Sequence, residues 1–184
     1  MRRDDALHLL KQHVGNEQLL KHMLATEAIM RALAERLGED VELWGLAGLM
    51  HDIDYEECGD MGKHGLVGAD LLENAGFDPR VVEAVRKHNY MIFPTEERKE
   101  TTEIALVAAD ALTGLIVATA LVMPDHRIGS VKVSTLRKKL GDKSFARGCD
   151  RRVMRECERI GLSIDDFLEL GLGAMQMIAG ELGL

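Results

Sequence analysis

The residues with the clearest chemical potential are four histidines and two aspartates set among apolar segments. The apolar run 46–50 ends directly in His51 and Asp52, and Asp110 lies within the apolar run 104–123. An ionised carboxylate among Leu, Val and Ala is costly unless it meets a cation or several hydrogen-bond donors. A lone histidine in an apolar stripe is usually a hydrogen-bonded core residue, but imidazole and carboxylate together suit a divalent transition metal. The sequence therefore predicts a metal centre, made of His22, His51, Asp52, His64, His88 and Asp110.

Helical periodicity places these side chains on different elements. Four of them share a helix face with apolar residues at i, i+3, i+4 or i+7 spacing, so each is expected to point inward. Capping and helix-breaking residues bound the predicted helices. The first predicted helix begins after Asn16 and ends at Gly38, and the second follows Asp40 into His51. The third covers 63–75 before Gly76, and the fourth begins at the cap Asp78 and Pro79. The later helices are predicted from Thr101 or Thr102 to Leu121 before Pro124, over 131–140, over 148–160, and from the Ser163/Asp166 capping box onward.

Composition predicts one all-α domain over residues 1–184. Hydrophobic residues make up 46% of the chain and aromatic residues only 4%, so the core is expected to consist of aliphatic side chains on helices. The 104–123 run is as long as a membrane span but contains Asp110, and we expect it to be a buried core helix. The three cysteines, Cys58, Cys149 and Cys157, form no CxxC pair and the N-terminus has no apolar signal core, so a cytoplasmic protein with reduced thiols is expected.

The order of the six residues resembles the H…HD…H…H…D pattern of the HD-domain superfamily of metal-dependent phosphohydrolases. The resemblance covers residues 15–125 and implies an all-α helical bundle, with residues 126–184 as a partly basic, helical C-terminal extension. It implies that His22, His51, Asp52 and Asp110 bind one metal ion. It also implies that His64 and His88 bind a second ion bridged by Asp52, or else that the site holds a single ion and these two histidines lie next to its ligands without coordinating it. The mixed ligands favour Fe, Mn, Co, Ni or Zn over Mg, which prefers oxygen ligands.

The activity implied by this resemblance is hydrolysis of a phosphate ester of a small molecule, with a nucleotide as one candidate. A bound divalent metal lowers the pKa of its water from about 16 to near 7 and so provides hydroxide at neutral pH. Besides Asp52, the candidates to orient or deprotonate that water are Asp54 and Glu56. The alternative interpretation is that Asp54 and Glu56 only belong to a solvated acidic loop. Several HD families have Lys or Glu three residues after the HD aspartate, where this chain has Tyr55. Tyr55 could instead pack at the rim of the site or hydrogen-bond the substrate.

Two other functions remain open at this stage. Some HD proteins with four histidines and two aspartates are di-iron oxygenases that act on polyols or phosphonates. A helical binding module with a vestigial site is the third hypothesis, although no position of the ligand set is missing. The terminal-helix residues Met175, Met177 and Ile178 also leave homo-oligomerisation open.

Charge is divided unevenly along the chain. The basic segment, residues 127–155, contains ten Lys or Arg and two Asp, so it carries +8 in a protein whose net charge is −8. Such a segment is either a solvated face or a surface that attracts a phosphorylated substrate. The phosphate-binding candidates are Lys139, Lys143 and Arg147. The overall negative charge argues against a stable nucleic-acid complex, and no membrane partner is expected.

Overall fold

The computed structural model describes all 184 residues, which form ten α-helices and no β-strand. This confirms the predicted all-α class. Short 3₁₀ segments lie at Thr95–Glu97, Ile128–Ser130 and Arg155–Ile160. The helices are α1 (Arg3–His13), α2 (Glu17–Leu37), α3 (Val41–Met50), α4 (Leu66–Asn74), α5 (Pro79–His88), α6 (Thr101–Leu121), α7 (Val133–Gly141), α8 (Arg151–Met154), α9 (Ile164–Met177) and α10 (Ala179–Leu182).

Local capping chemistry sets the ends of most of the predicted helices. The side chain of Asn16 accepts hydrogen bonds from two backbone N–H groups at the start of α2, and Asp40 does the same for α3. Asp78 caps α5, in which Pro79 is the first residue, and Ser163 caps α9. Each cap satisfies N–H groups that have no partner inside the helix. The sequence signals are confirmed at these four positions.

Several predicted helices differ from the structure. The cap of α6 is Glu100 rather than Thr101 or Thr102, because Glu100 and Glu103 form a reciprocal capping box. The helix predicted over 63–75 begins only at Leu66, since the chain turns through Gly65 at φ +84°. The helix predicted over 148–160 is α8 followed by a 3₁₀ segment, and α1 was not predicted.

The apolar helix α6 lies in the core of the protein. Although α6 is long and apolar enough to cross a membrane, 67% of its most apolar window is buried inside the protein. It packs against α2, α5, α7, α8 and α9. Asp110 is therefore held on a helix that is surrounded by other helices, which fixes its position relative to the histidines of α2 and α5.

Helices α2 and α3 approach each other closely at a glycine. A Cβ atom on Gly48 would lie 2.9 Å from the Cα and N atoms of Glu27 and from the carbonyl oxygen of Thr26. Because these are main-chain atoms, a side chain at position 48 could not be accommodated without moving α3 away from α2. This contact sets the spacing between His22 on α2 and His51 at the end of α3.

Replacing Gly48 with alanine tests whether this contact supports the fold. We expect Gly48→Ala to lower the free energy of unfolding by about 1–3 kcal/mol through overpacking, measured by urea denaturation. The matched control is Gly173→Ala on α9, where an added Cβ meets no atom within 4 Å. That variant should be unchanged or more stable by up to about 1 kcal/mol, because alanine favours helix over glycine. Equal stability of the two variants would contradict the role of the contact.

Candidate metal centre

Five elements deliver six ligand-type side chains to one place. His22 comes from α2, His51 and Asp52 follow the last turn of α3, His64 lies in the turn before α4, His88 ends α5, and Asp110 lies on α6. The side chains of His51, Asp52, His64 and His88 are almost completely buried, while His22 and Asp110 are about one-quarter exposed (27% and 24%). The structure thus brings together every residue that the sequence nominated for the metal centre.

The first half of the cluster is formed by His22, His51, Asp52 and Asp110. The Nε2 atoms of His22 and His51 are 3.1 Å apart. Oδ2 of Asp52 lies 3.6 Å from Nε2 of His22 and 3.4 Å from Nε2 of His51. Oδ1 of Asp110 lies 3.1 Å from Nε2 of His22. Two nitrogens and two carboxylate oxygens therefore surround one small volume.

The second half is formed by His64 and His88 around the other oxygen of Asp52. The Nε2 atoms of these histidines are 3.0 Å apart, and Oδ1 of Asp52 lies 3.1 Å from that of His64 and 3.3 Å from that of His88. Asp52 thus presents one oxygen to each half. Each half also contains three residues whose ligand atoms all lie within 4.8 Å of one another.

The remaining nitrogen of each buried histidine is held by a hydrogen-bond acceptor. Nδ1 of His51 lies 2.9 Å from the carbonyl oxygen of Gly48, and Nδ1 of His88 lies 2.6 Å from that of Val85. A carbonyl oxygen only accepts, so both Nδ1 atoms carry the proton and both Nε2 atoms present a lone pair. These bonds also fix the orientation of the two rings.

Nδ1 also carries a proton in the other two histidines, His64 and His22. Nδ1 of His64 lies 3.0 Å from a carboxylate oxygen of Asp54. Nδ1 of His22 lies 3.0 Å from Oγ1 of Thr113, whose hydroxyl donates to the carbonyl oxygen of Asp110 at 2.6 Å. Since that hydroxyl proton is already used, Oγ1 accepts from Nδ1 of His22. Thr113 was not nominated from the sequence, because its role depends on contacts between α2 and α6.

This arrangement fits a bound metal ion. Nitrogen lone pairs that face each other at 3.0 and 3.1 Å have no donor between them and require a proton or a cation. The neighbouring carboxylates add negative charge, and neutral imidazole with carboxylate is a ligand set for divalent transition metals. The cluster can therefore hold a divalent metal ion.

The protonation preferences of the cluster point the same way. Burial alone would lower the pKa of His64, but its hydrogen bonds to Asp52 and Asp54 raise it to about 10. Burial likewise opposes protonation of His22, yet Asp110 and Asp52 raise its pKa. His51 differs, because its complete burial lowers its pKa to about 4. The cluster attracts positive charge, which a metal ion would supply in place of protons.

Asp54 and Glu56 lie away from the cluster opening. Asp54 is fully buried and accepts hydrogen bonds from Nδ1 of His64 and from the backbone N–H groups of Gly65 and Gly68. Glu56 accepts from the backbone N–H groups of Gly15 and Asn16 at the α1–α2 junction. Asp54 therefore positions a ligand and Glu56 holds a loop. Neither lines the cleft, so this geometry lends no support to their nomination to orient or deprotonate water.

A cleft of about 430 Å³ opens over the cluster. Tyr55 lies at its edge, with its ring packed edge-on against His64 at a centroid distance of 5.2 Å, as one of the sequence alternatives expected. Amide and aromatic side chains that the sequence analysis had not nominated also line it. The lining residues are Asn16, Gln18, Leu19, His22, Asp52, Tyr55, Met61, His64, His88, Asn89, Tyr90, Met91 and Asp110.

The predicted phosphate-binding residues are not brought to this cleft. Lys143 and Arg147 are exposed, Lys139 is partly buried, and none of the three lines the cleft. The ammonium group of Lys139 lies 4.1 Å from the ring centroid of Phe145. The nearby guanidinium of Arg151 donates to backbone carbonyls of the 142–149 loop. The geometry therefore gives these three residues no contact with the site, and their phosphate-binding role stays a prediction.

Comparison with known proteins matches the part of the chain that contains the cluster. The family model of the HD domain matches residues 19–115, which include all six ligand-type residues. Ribonuclease Y of Chloroflexus aurantiacus is 33% identical over 103 residues, 53% of this chain and 19% of that protein. Ribonuclease Y of Geotalea uraniireducens is 31% identical over 105 residues, 54% of this chain and 18% of that protein.

A further relative is named as a methyltransferase rather than a ribonuclease. The tRNA (cytidine(56)-2'-O)-methyltransferase of Thermoplasma volcanium is 33% identical over 82 residues, 45% of this chain and 24% of that protein. The chain thus spans less than a quarter of the length of these three relatives. The similarity concerns the helices around the cluster rather than the whole of any relative.

The role of Asp54 can be tested by metal affinity. Asp54 accepts three hydrogen bonds, and Asp54→Asn replaces one of its accepting oxygens with an NH₂ group that can only donate. His64 would then lose the hydrogen bond that fixes its orientation. We expect affinity for the ion at His64 and His88 to fall about 10–100-fold, measured by competition with a metal-sensitive chelating dye. The matched control Glu56→Gln alters an acid in the same loop that contacts only the α1–α2 junction, and its affinity should be unchanged. A loss in Glu56→Gln equal to that in Asp54→Asn would contradict the assignment.

Proposed function

The chain belongs to the HD-domain family, and on that premise we propose that it is a metal-dependent phosphohydrolase. Its substrate is the phosphate ester of a small molecule, with a nucleotide as one candidate. The observation that carries the proposal is the position of Asp52 between two pairs of histidine Nε2 atoms, with one oxygen toward each pair. Residues on either side of Asp52 would thus hold two divalent ions.

The chain's own residues have separate parts in this proposal. His22, His51 and Asp110 would hold one ion, His64 and His88 would hold a second, and Asp52 would contribute to both. Divalent ions bound there would supply hydroxide at neutral pH and an electrophile for the phosphate oxygens. The Nδ1 hydrogen bonds keep every Nε2 lone pair toward the ions, and the burial of Asp52 and three of the histidines restricts water to the cleft side. The protein's contribution is therefore positioning and charge, which dominate phosphoryl transfer.

The comparisons support hydrolysis in general terms. Two of the relatives described above are named ribonucleases, and a ribonuclease cleaves phosphate esters. Their whole activity is not transferred, because this chain spans a small part of each. A net charge of −8 favours a small substrate over a polyanionic polymer. No observation on this chain favours the oxygenase alternative.

Metal content and phosphatase activity, measured together, test the proposal. The protein is purified without added metal, and its metal ions per chain and its release of phosphate from a panel of phosphate esters are determined. We expect about two transition-metal ions per chain and activity that a chelator abolishes and added metal restores. His51→Ala and His88→Ala should each lose at least one ion and nearly all activity.

The control is His8→Ala, because His8 is an exposed histidine of α1 outside the cleft. It should keep both metal and activity. A single ion, lost in His51→Ala but kept in His88→Ala, would instead indicate a mononuclear site supported by His64 and His88. Absence of metal under every loading condition would exclude the enzymatic proposal.

A further inference from the structure

Exposed apolar side chains gather around the opening of the cleft. Nine large hydrophobic residues of the chain are exposed, and five of them form what we call the rim. Their exposed fractions range from 36% to 76%. Four of the five line the cleft directly, so the apolar surface is continuous with the metal centre. The rim consists of Tyr55, Met61, Tyr90, Met91 and Ile92.

Hydrogen bonds hold the loops of the rim in place. The buried side chain of Asn89 donates to the carbonyl oxygens of Met61 and His64 at 3.0 and 3.1 Å and accepts from the backbone N–H of Met91 at 3.1 Å. One amide thus joins the loop before α4 to the loop after α5. Since Tyr55 also packs against His64, the rim keeps a fixed position relative to the ligands. A preformed apolar surface costs a ligand little ordering entropy.

The cleft lining contains no Lys or Arg. It does contain two tyrosines, three amides and two ligand carboxylates. Lys21 lines an adjoining cavity beyond His22, and Arg152 lines another beyond Tyr90, where it is paired with Asp150 at 2.8 Å. With the histidines engaged as metal ligands, the metal ions are therefore the cations that can neutralise a bound phosphate. A second anionic group on the substrate would lie near Asp52 and Asp110 without a partner.

We propose that the rim selects phosphate esters whose leaving group is flat, apolar and uncharged, with Tyr90 as the main specificity-determining residue. This inference rests on the proposed function and names its substrate class. One phosphate binds at the ions while an aromatic or heterocyclic group stacks on the Tyr90 ring and covers Met61 and Met91. Polyphosphates and small polar sugar phosphates are disfavoured, because the former lack a cation and the latter leave the apolar rim exposed to water.

Binding of phosphonates tests this without turnover, since their P–C bond cannot be hydrolysed at the site. The full chain loaded with Mn²⁺ is titrated calorimetrically with phenylphosphonate and with methylphosphonate, at a pH where both are dianions. We expect phenylphosphonate to bind roughly tenfold more tightly, the usual contribution of one aromatic stacking contact. A third probe, 4-carboxyphenylphosphonate, keeps the ring but adds a charge and should bind less tightly than phenylphosphonate.

Variants assign the preference to Tyr90. In Tyr90→Ala the two phosphonates should bind with nearly equal affinity, while Tyr90→Phe should retain the preference because it keeps the ring. Tyr90 is chosen over Tyr55 because removal of Tyr55 would also disturb His64. Met177→Ala is the matched control, since Met177 is exposed but lies outside the cleft, and it should retain the preference. The metal content of every variant is measured alongside to show that the site is intact.

The outcomes separate this inference from the proposal on which it rests. Equal affinity of the metal-loaded protein for phenyl- and methylphosphonate would overturn the role of the rim and leave a phosphohydrolase. A preference that survives in Tyr90→Ala would overturn the assignment to Tyr90. Tighter binding of the carboxylated probe would overturn the requirement for an uncharged group. Failure of both phosphonates to bind, together with absence of metal, would remove the proposed function and the inference together.

Discussion

The structure depends on an electrostatic constraint at its centre. Four imidazole nitrogens and two carboxylates converge in a largely buried space, and the facing Nε2 atoms lie at 3.0 and 3.1 Å. Imidazole nitrogens that face each other need a proton or a cation between them, and the carboxylates beside them favour positive charge at this place. The helices around the cluster are the means of holding this arrangement, and a metal ion is what would stabilise it.

At two helix ends, a single hydrogen bond fixes the orientation of a histidine ring. His51 directly follows α3 and His88 is the last residue of α5, and Nδ1 of each ring donates to the carbonyl oxygen three residues earlier. The last carbonyls of a helix have no partner inside it. The histidine therefore satisfies an unpaired carbonyl and, by the same bond, fixes its own tautomer with Nε2 toward the cluster. This explains why an apolar helix ends directly in His51 and Asp52.

The sequence predicted what depends on local chemistry and missed what depends on contacts between distant segments. Asn16, Asp40 and Asp78 cap helices through neighbouring N–H groups, so their positions could be read without a fold. The six ligand-type residues could be nominated because burying each of them would be costly. By contrast, Thr113 acts on His22 across 91 positions, and Asn89 joins two loops. Asp54 and Glu56 looked equivalent in the sequence, yet one faces His64 and the other the start of α2.

The structure shows how the charges of the basic segment are paired. Several of its cations are occupied within their own region: Arg152 pairs with Asp150, Arg155 with Glu158, and Arg137 with Asp165 of α9. Arg151 donates to loop carbonyls, which makes it a structural element of the 142–149 loop. On the proposed function, the positive charge beside a substrate phosphate would come from ions at the cluster, because the lining of the cleft contains no Lys or Arg. On the same proposal, recognition of the rest of the substrate would depend on shape and on aromatic contact at the apolar rim.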